Sequence, residues 1–99
     1  MNIQNMMAQA QKMQRDIEKK KAEIDATIFT GKSEWVEVEF YGNKKLKSIK
    51  ILKDGGIEQD EFEILEDMIT IATNDALEKI EKETADKMGS YGSALNGLF

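Results

Sequence analysis

The order of parts constrains this chain more than any single motif. A Met/Gln/Lys-rich amphipathic stretch comes first, then one compact run of strand-like segments, then a longer acidic helical stretch. In the first stretch Ile3, Ala10, Ile17 and Ile24 recur every seven residues with Met6 and Met13 between them, an a/d stripe that breaks at Lys20. No Gly or Pro interrupts residues 2–25, and Gln, Ala, Met, Lys and Glu favour the helix. The spacing therefore predicts a helix over 1–25. The methionines form either an adaptable contact surface or, the reading that ordinary gap-filling by Met favours, a core or dimer seam.

The middle of the chain changes period. Ala26 to Thr30 is followed by Gly31-Lys32-Ser33, read as a turn, and then Val36, Val38 and Phe40 alternate with Glu37, Glu39 and Tyr41, the pattern of a half-buried strand. Trp35 falls on the solvent-side register. Gly42-Asn43 before Lys44 signals a hairpin, Gly and Asn being the residues expected to take positive φ, and Leu46 to Leu52 supplies the return strand with Ile49 and Ile51 facing inward. Residues 26–53 thus read as a three-stranded antiparallel meander with one wet face, which has to lie against a helix.

Asp54-Gly55-Gly56 ends the sheet, and Asp60 or a neighbour is expected to cap a helix over 58–88 whose first turns carry the acidic residues its dipole favours. Phe62, Leu65, Met68/Ile69, Ala72, Ala76, Ile80 and Met88 mark its buried line, widened by Ile64 and Ile71 in the first half only. The first half is expected to be packed on several sides and the part from Glu78 onward to be a solvated, projecting rod. Residues 89–99 read as a flexible tail with Leu95, Leu98 and Phe99 exposed unless docked. The whole chain, 1–99, reads as one α+β domain of α-β-β-β-α order. Neither helix can bury its stripe on so small a sheet alone, so a partner chain is implied.

The composition narrows the function classes. The 99 residues include no Cys and no His, which removes disulfides, thiolate chemistry, histidine bases and nearly every zinc or copper site. No serine sits in a nucleophile elbow, and the glycines have neither phosphate-loop nor dinucleotide spacing. The acidic run from Asp54 to Asp67 lacks the alternation and central Gly of a calcium loop, and reads as a helix start. No catalytic site, cofactor, metal or small-molecule substrate is expected, nor a membrane span, and a cytoplasmic location fits.

Formal charge is −5, unevenly spread: +1 over residues 1–25, +3 over 26–53 and −9 over 54–99. Lys12, Arg15, Lys19 and Lys20 read as roughly one flank of the first helix, with Lys21 turned further round, while Lys79, Lys82 and Lys87 punctuate the second half of the last. Flexible cations at helical spacing suit a phosphate backbone, and Gln9, Gln11 and Gln14 have the chemistry to read base edges. The same lysines suit pairing with Asp16, Glu18 and Glu23 on their own helix, and spacing alone favours that second reading. Lys44, Lys45, Lys47, Lys50 and Lys53 form another basic set, either a phosphate surface or protection of an edge strand.

Taken together, several segments resemble the YbaB/EbfC family of small bacterial nucleoid-associated DNA-binding proteins. They are Met6-Met7-Ala8-Gln9-Ala10-Gln11-Lys12-Met13-Gln14, Thr30-Gly31-Lys32, Val38-Glu39-Phe40-Tyr41-Gly42-Asn43 with Ile49-Lys50-Ile51, Leu65-Glu66-Asp67-Met68-Ile69, Asn74-Asp75-Ala76-Leu77, Lys87-Met88-Gly89 and Gly97-Leu98-Phe99. The chain departs from the family pattern in having Lys53-Asp54 where Asp-Pro is common, Lys44-Lys45 in its second turn, and no Pro. The resemblance implies a homodimer joined through its sheet region, with helices projecting like tweezer arms around double-stranded DNA, in the nucleoid and without enzymatic activity. It implies Lys12, Arg15 and Lys19 with Lys82 and Lys87 as DNA-facing residues, Lys20 joining them from its place on the same flank, and replication or recombination proteins as candidate partners. The alternative is a dimeric adaptor that grips another protein through its helices and its Leu98/Phe99 tail.

Overall fold

The computed structural model describes residues 2–89. The expected tail at 89–99, with Leu95, Leu98 and Phe99, therefore lies outside the described residues apart from Gly89. Helix α1 (Ile3–Ala26) leads into strands β1 (Ile28–Lys32), β2 (Val36–Tyr41) and β3 (Leu46–Ile51), and helix α2 (Phe62–Met88) follows a 3-10 turn at Gln59–Glu61. The strands form one antiparallel sheet in the order β1-β2-β3. The α-β-β-β-α order is the one the sequence predicts.

Each end of α1 has a local cause. The Asn2 side chain accepts a hydrogen bond from the Gln4 N–H at 3.0 Å, which occupies one of the donors that a helix start leaves unpaired. At the other end β-branched Thr27 and Ile28 leave the helix for the sheet, and the Gly42 N–H donates to the Thr27 carbonyl at 2.9 Å. The start of α2 is organised by Glu61, the neighbour of Asp60. The Glu61 carboxylate accepts from the Glu58 N–H at 2.9 Å and pairs with Lys53 at 3.0 Å, which ties the loop behind β3 to the helix start.

Of the two expected turn glycines, Gly42 lies in the hairpin turn and Gly31 does not, and both have a further task in packing. Gly31 lies within β1, where a Cβ would stand 1.9 Å from the Ala72 carbonyl oxygen and 2.8 Å from the Ala76 methyl. Gly42 is buried, and a Cβ there would stand 1.8 Å from the Ile24 carbonyl oxygen. Both permit backbone to approach backbone, which only a residue without a side chain allows. Positive φ falls instead on Lys44, at 70°, steadied by the Asn43 side chain, whose oxygen accepts from the Lys45 N–H at 3.0 Å.

One core forms where α2 crosses the sheet. Val36, Val38 and Phe40 on β2 meet Ala72, Ala76 and Ile80 on α2, with Phe29, Leu65, Met68, Ile69 and Leu77 half-buried around them. Trp35 is not a strand residue on the wet side. It precedes β2, packs half-buried on this core, and carries the Lys53 ammonium over its ring at 5.2 Å. A second, smaller cluster joins Ile17 and Ile24 of α1 to Met88 of α2.

That second cluster reverses the expected anatomy of α2. Ile80 and Met88 are both 2% exposed, whereas Phe62, Ile64 and Ile71 in the first half are about half exposed. The buried residues Ala72, Ala76, Ile80 and Met88 are spaced by multiples of four, so the line winds round the helix and meets α1 on leaving the sheet. The segment beyond Glu78 is therefore half of an antiparallel helix pair, not a lone solvated rod. Among the described residues the part without a neighbour is the start of α1, where residues 3–15 are all exposed. The described residues extend 70 × 19 × 16 Å, so the helix pair and the free start of α1 make a long arm on a small sheet.

Candidate nucleic-acid interface

The arm has two chemically distinct sides. At 3.6 residues per turn, Lys12, Arg15 and Lys19 fall within roughly 60° of one another, and that stripe lies roughly 160° round α1 from the buried Ile17 and Ile24. All three are exposed. Asp16 and Glu23 follow Lys12 and Lys19 at the four-residue spacing that permits pairing, yet neither closes an ion pair, and Arg15 has none among the described residues. Of the glutamines on this helix, Gln14 leans on Glu18 at 3.5 Å.

Lys20 stands apart from the stripe on which the sequence placed it. One residue on from Lys19 is a rotation of about 100°, and Lys20 is half-buried at the helix junction, its ammonium donating to the Lys87 carbonyl at 3.5 Å. Lys87 is also half-buried, its ammonium 3.9 Å from Glu83. Lys82 is exposed on α2 and has no ion pair among the described residues. The six basic residues singled out in the sequence thus divide into an outward stripe on α1, a solitary exposed lysine on α2, and two at the α1–α2 junction.

The other basic set is balanced only in part by its surroundings. Across the outer face of the sheet Lys32 stands opposite Glu37 and Glu37 opposite Lys50, opposite charges at cross-strand positions. Lys47 lies 3.7 Å from Glu39, and Lys53 is held by Glu61 and by the Gly56 carbonyl at 3.0 Å. Lys44, Lys45 and Lys50 are exposed and, like the three cations of the α1 stripe, have no ion pair among the described residues.

Sequence reasoning overlooked Asp75 and Lys79, whose role depends on how α2 crosses β1. The Asp75 carboxylate accepts from the Lys32 N–H at 3.0 Å, and the Lys79 ammonium donates to the Thr30 carbonyl at 2.7 Å. The pair, 3.3 Å apart, thus satisfies backbone groups on the open edge of β1. The Lys32 N–H holds the Asp75 carboxyl below the ordinary carboxylate range, and Lys79 acts in the same direction. The Glu61 carboxyl is held down likewise, first by the Glu58 N–H and then by Lys53. A carboxylate four residues before a lysine in a helix was the only sequence signal, and it is too common to have pointed here.

Among the described residues no group of three acidic side chains converges as metal ligands do, and no helix is long and apolar enough to cross a membrane. What the molecule presents is an extended arm with a basic outward stripe, on a sheet that carries a second set of lysines, some of them paired.

Residues 1–95 match the model of the YbaB/EbfC DNA-binding family. A nucleoid-associated protein of Ligilactobacillus salivarius is 40% identical over 99% of this chain and 95% of its own length. Nucleoid-associated proteins of Streptococcus agalactiae and Lactococcus lactis are 45% and 46% identical, each over 96% of this chain and 97% of its own. The crystal structure of HP0035, an uncharacterized protein of Helicobacter pylori, shares the fold at a TM-score of 0.68 and 22% identity, covering 100% of this chain and 99% of that one. The chain belongs to the YbaB/EbfC DNA-binding family.

Proposed function

We propose that this chain acts as a single domain that pairs into a homodimer and binds double-stranded DNA in the bacterial nucleoid. Binding is through phosphate contacts from its projecting helices, with little or no sequence specificity and without enzymatic activity. The observation that carries the reading is the stripe of Lys12, Arg15 and Lys19, exposed, unpaired among the described residues and turned away from the buried side of α1. Phosphate recognition needs mobile cations at spacings a duplex backbone can meet, and such a stripe supplies them without any requirement on base sequence. Lys82 adds a further exposed charge. Lys20 and Lys87 contribute less, because their ammonium groups already have protein acceptors.

The homodimer reading rests on the open half of the sheet. Leu46, Ile49, Ile51 and Leu52, with Phe62, Ile64 and Ile71 of α2, are all about half exposed, more apolar surface than a lone domain of this size ordinarily leaves in water. A second copy of the chain carries the same apolar surface and can cover it. Dimerisation also doubles the number of arms, so that weak phosphate contacts act together. Net charge of −5 disfavours approach of DNA to most of the surface and confines it to the arms.

Titration of a labelled duplex with the protein at several salt concentrations tests this reading. The wild type is expected to show a log–log salt slope of several units. The triple substitution Lys12→Gln/Arg15→Gln/Lys19→Gln is expected to lower that slope by about 3, roughly one unit for each cation removed from a phosphate. An unchanged slope removes α1 as the DNA-binding element. Absence of binding at low salt turns the reading toward a dimeric adaptor for another protein.

A further inference from the structure

The basic side of α1 has a counterpart on the opposite side that the DNA reading leaves unused. Ile3, Met6, Ala10 and Met13 continue the line of Ile17 and Ile24 within an arc of roughly 80°, yet Ile3 is 72% exposed and Met6 51%. The line is the same; what changes at Ile17 is that α2 stops. Met88, the last residue of α2, packs beside Ile17, and the Lys87 carbonyl receives Lys20.

The direction of the chain at that point is fixed by its other contacts. The C-terminal end of α1 meets the sheet at Gly42 through Ile24, and α2 meets it at Gly31 through Ala72 and Ala76. From Ala76 to Met88, α2 therefore runs away from the sheet and antiparallel to α1, and leaves residue 89 heading toward the free start of that helix. Residues 90–99 follow. They include Leu95, Leu98 and Phe99, and carry no charged residue at all in a chain that is 33% charged.

We infer that residues 90–99 dock on the apolar line of α1 in their own chain, over Met13, Ala10, Met6 and Ile3. Reach supports this occupant. From Ile17 to Ile3 the line is about 21 Å long, and ten residues span about 15 Å if helical, which keeps Leu95 to Phe99 along it, and about 33 Å if extended, which brings Leu95 to its far end. The other open apolar surface is further off, since its nearest α2 residue, Ile71, lies about 26 Å back from Met88 toward the sheet. Composition supports it as well, because a segment without charged side chains gains from apolar cover. Docking there leaves Lys12, Arg15 and Lys19 in water and stiffens the arm that carries them. The inference stands apart from the DNA reading, since it uses the opposite side of the helix.

The absence of native cysteine makes a disulfide test direct. Leu98→Cys is combined in separate full-length proteins with Met6→Cys, with Met13→Cys, or with Ala8→Cys on the basic side of the same helix, all at exposed or tail positions. Under mild oxidation, an intrachain disulfide is expected to form at least tenfold faster with Met6→Cys or Met13→Cys than with Ala8→Cys. Equal rates at all three positions overturn the inference, as does a product linking two chains. The second readout is hydrogen exchange on residues 3–13 of the protein without cysteines, which is expected to rise at least tenfold in Leu95→Ser/Leu98→Ser/Phe99→Ser while residues 36–40 keep their protection. Unchanged exchange on residues 3–13 also overturns it.

Discussion

Val36 and Val38 on β2 are 0% exposed, whereas Ile51 and Ile49, their cross-strand partners on β3, are 51% and 45% exposed, although all four side chains share one face of one sheet. Alternation and β-branching are alike in the two strands, so local sequence does not make the difference. Its source is the path of α2, which crosses β1 and β2 on the small residues Gly31, Ala72 and Ala76 and leaves β3 uncovered. An apolar face written into a strand says that cover is required. It does not say whether the cover comes from the same chain.

The covered half of the sheet breaks most severely at Gly31. A methyl group there has to occupy space within 1.9 Å of a helix carbonyl, so Gly31→Ala forces α2 off the sheet on which it depends. Urea unfolding is expected to show a loss of about 3 kcal/mol or more, at or above the upper end of ordinary overpacking. Gly42→Ala, pressed against the end of α1 at 1.8 Å, is expected to behave similarly. Gly89→Ala, with open space around it, is expected to fall within about 0.5 kcal/mol of wild type, and a large loss there would mean that general glycine effects explain the result.

A sharper contrast comes from placing the same charge on the two halves of the face. Val38→Lys buries an unpaired ammonium in the core and is expected to unfold the protein. Ile49→Lys, its cross-strand neighbour, is expected to leave the protomer folded by circular dichroism while weakening self-association at least 100-fold in analytical ultracentrifugation, or about 2.7 kcal/mol. If Ile49→Lys instead unfolds with no change in mass, the open face belongs to the protomer's own stability, and the homodimer reading loses its support.

How far the molecule was legible follows from the same distinction between what a residue needs and what supplies it. The period-seven line of α1, the alternation of β2 and the acidic start of α2 are local patterns, so helix, meander and helix were readable in order and nearly to their bounds. Gly31 looked like a turn residue because turns are the commonest use of glycine, and the close approaches that it and Gly42 permit involve Ala72 and Ile24, distant in sequence. Ile80 and Met88 looked like the last apolar points on a solvated rod because nothing in their neighbourhood announces α1. The stripe of Lys12, Arg15 and Lys19 was visible in the helical period. The same period already turns Lys20 about 100° from Lys19; what it could not show is the burial of Lys20 at the junction, which depends on where α2 ends.

The smallest expected effect concerns the closed edge of the sheet, where Asp75 meets β1. Its carboxyl is held below the ordinary range by the Lys32 N–H, with Lys79 contributing, so the folded protein binds a proton there less readily than the unfolded chain does. The resulting stabilisation is fully present above the unfolded carboxylate value of about 4, and it is lost as pH falls through the lower folded value. Asp75→Asn retains an oxygen to accept from Lys32 but cannot titrate. In urea titrations from pH 7 to pH 2, wild type is therefore expected to be the more stable at neutral pH, with the difference narrowing below about pH 4. Glu61→Gln is expected to follow the same course at the start of α2, where the Glu58 N–H and Lys53 hold the carboxyl down. A difference between wild type and Asp75→Asn that stays constant across that range would show that the edge of β1 is held by hydrogen-bond geometry alone, with the charge of Asp75 contributing nothing.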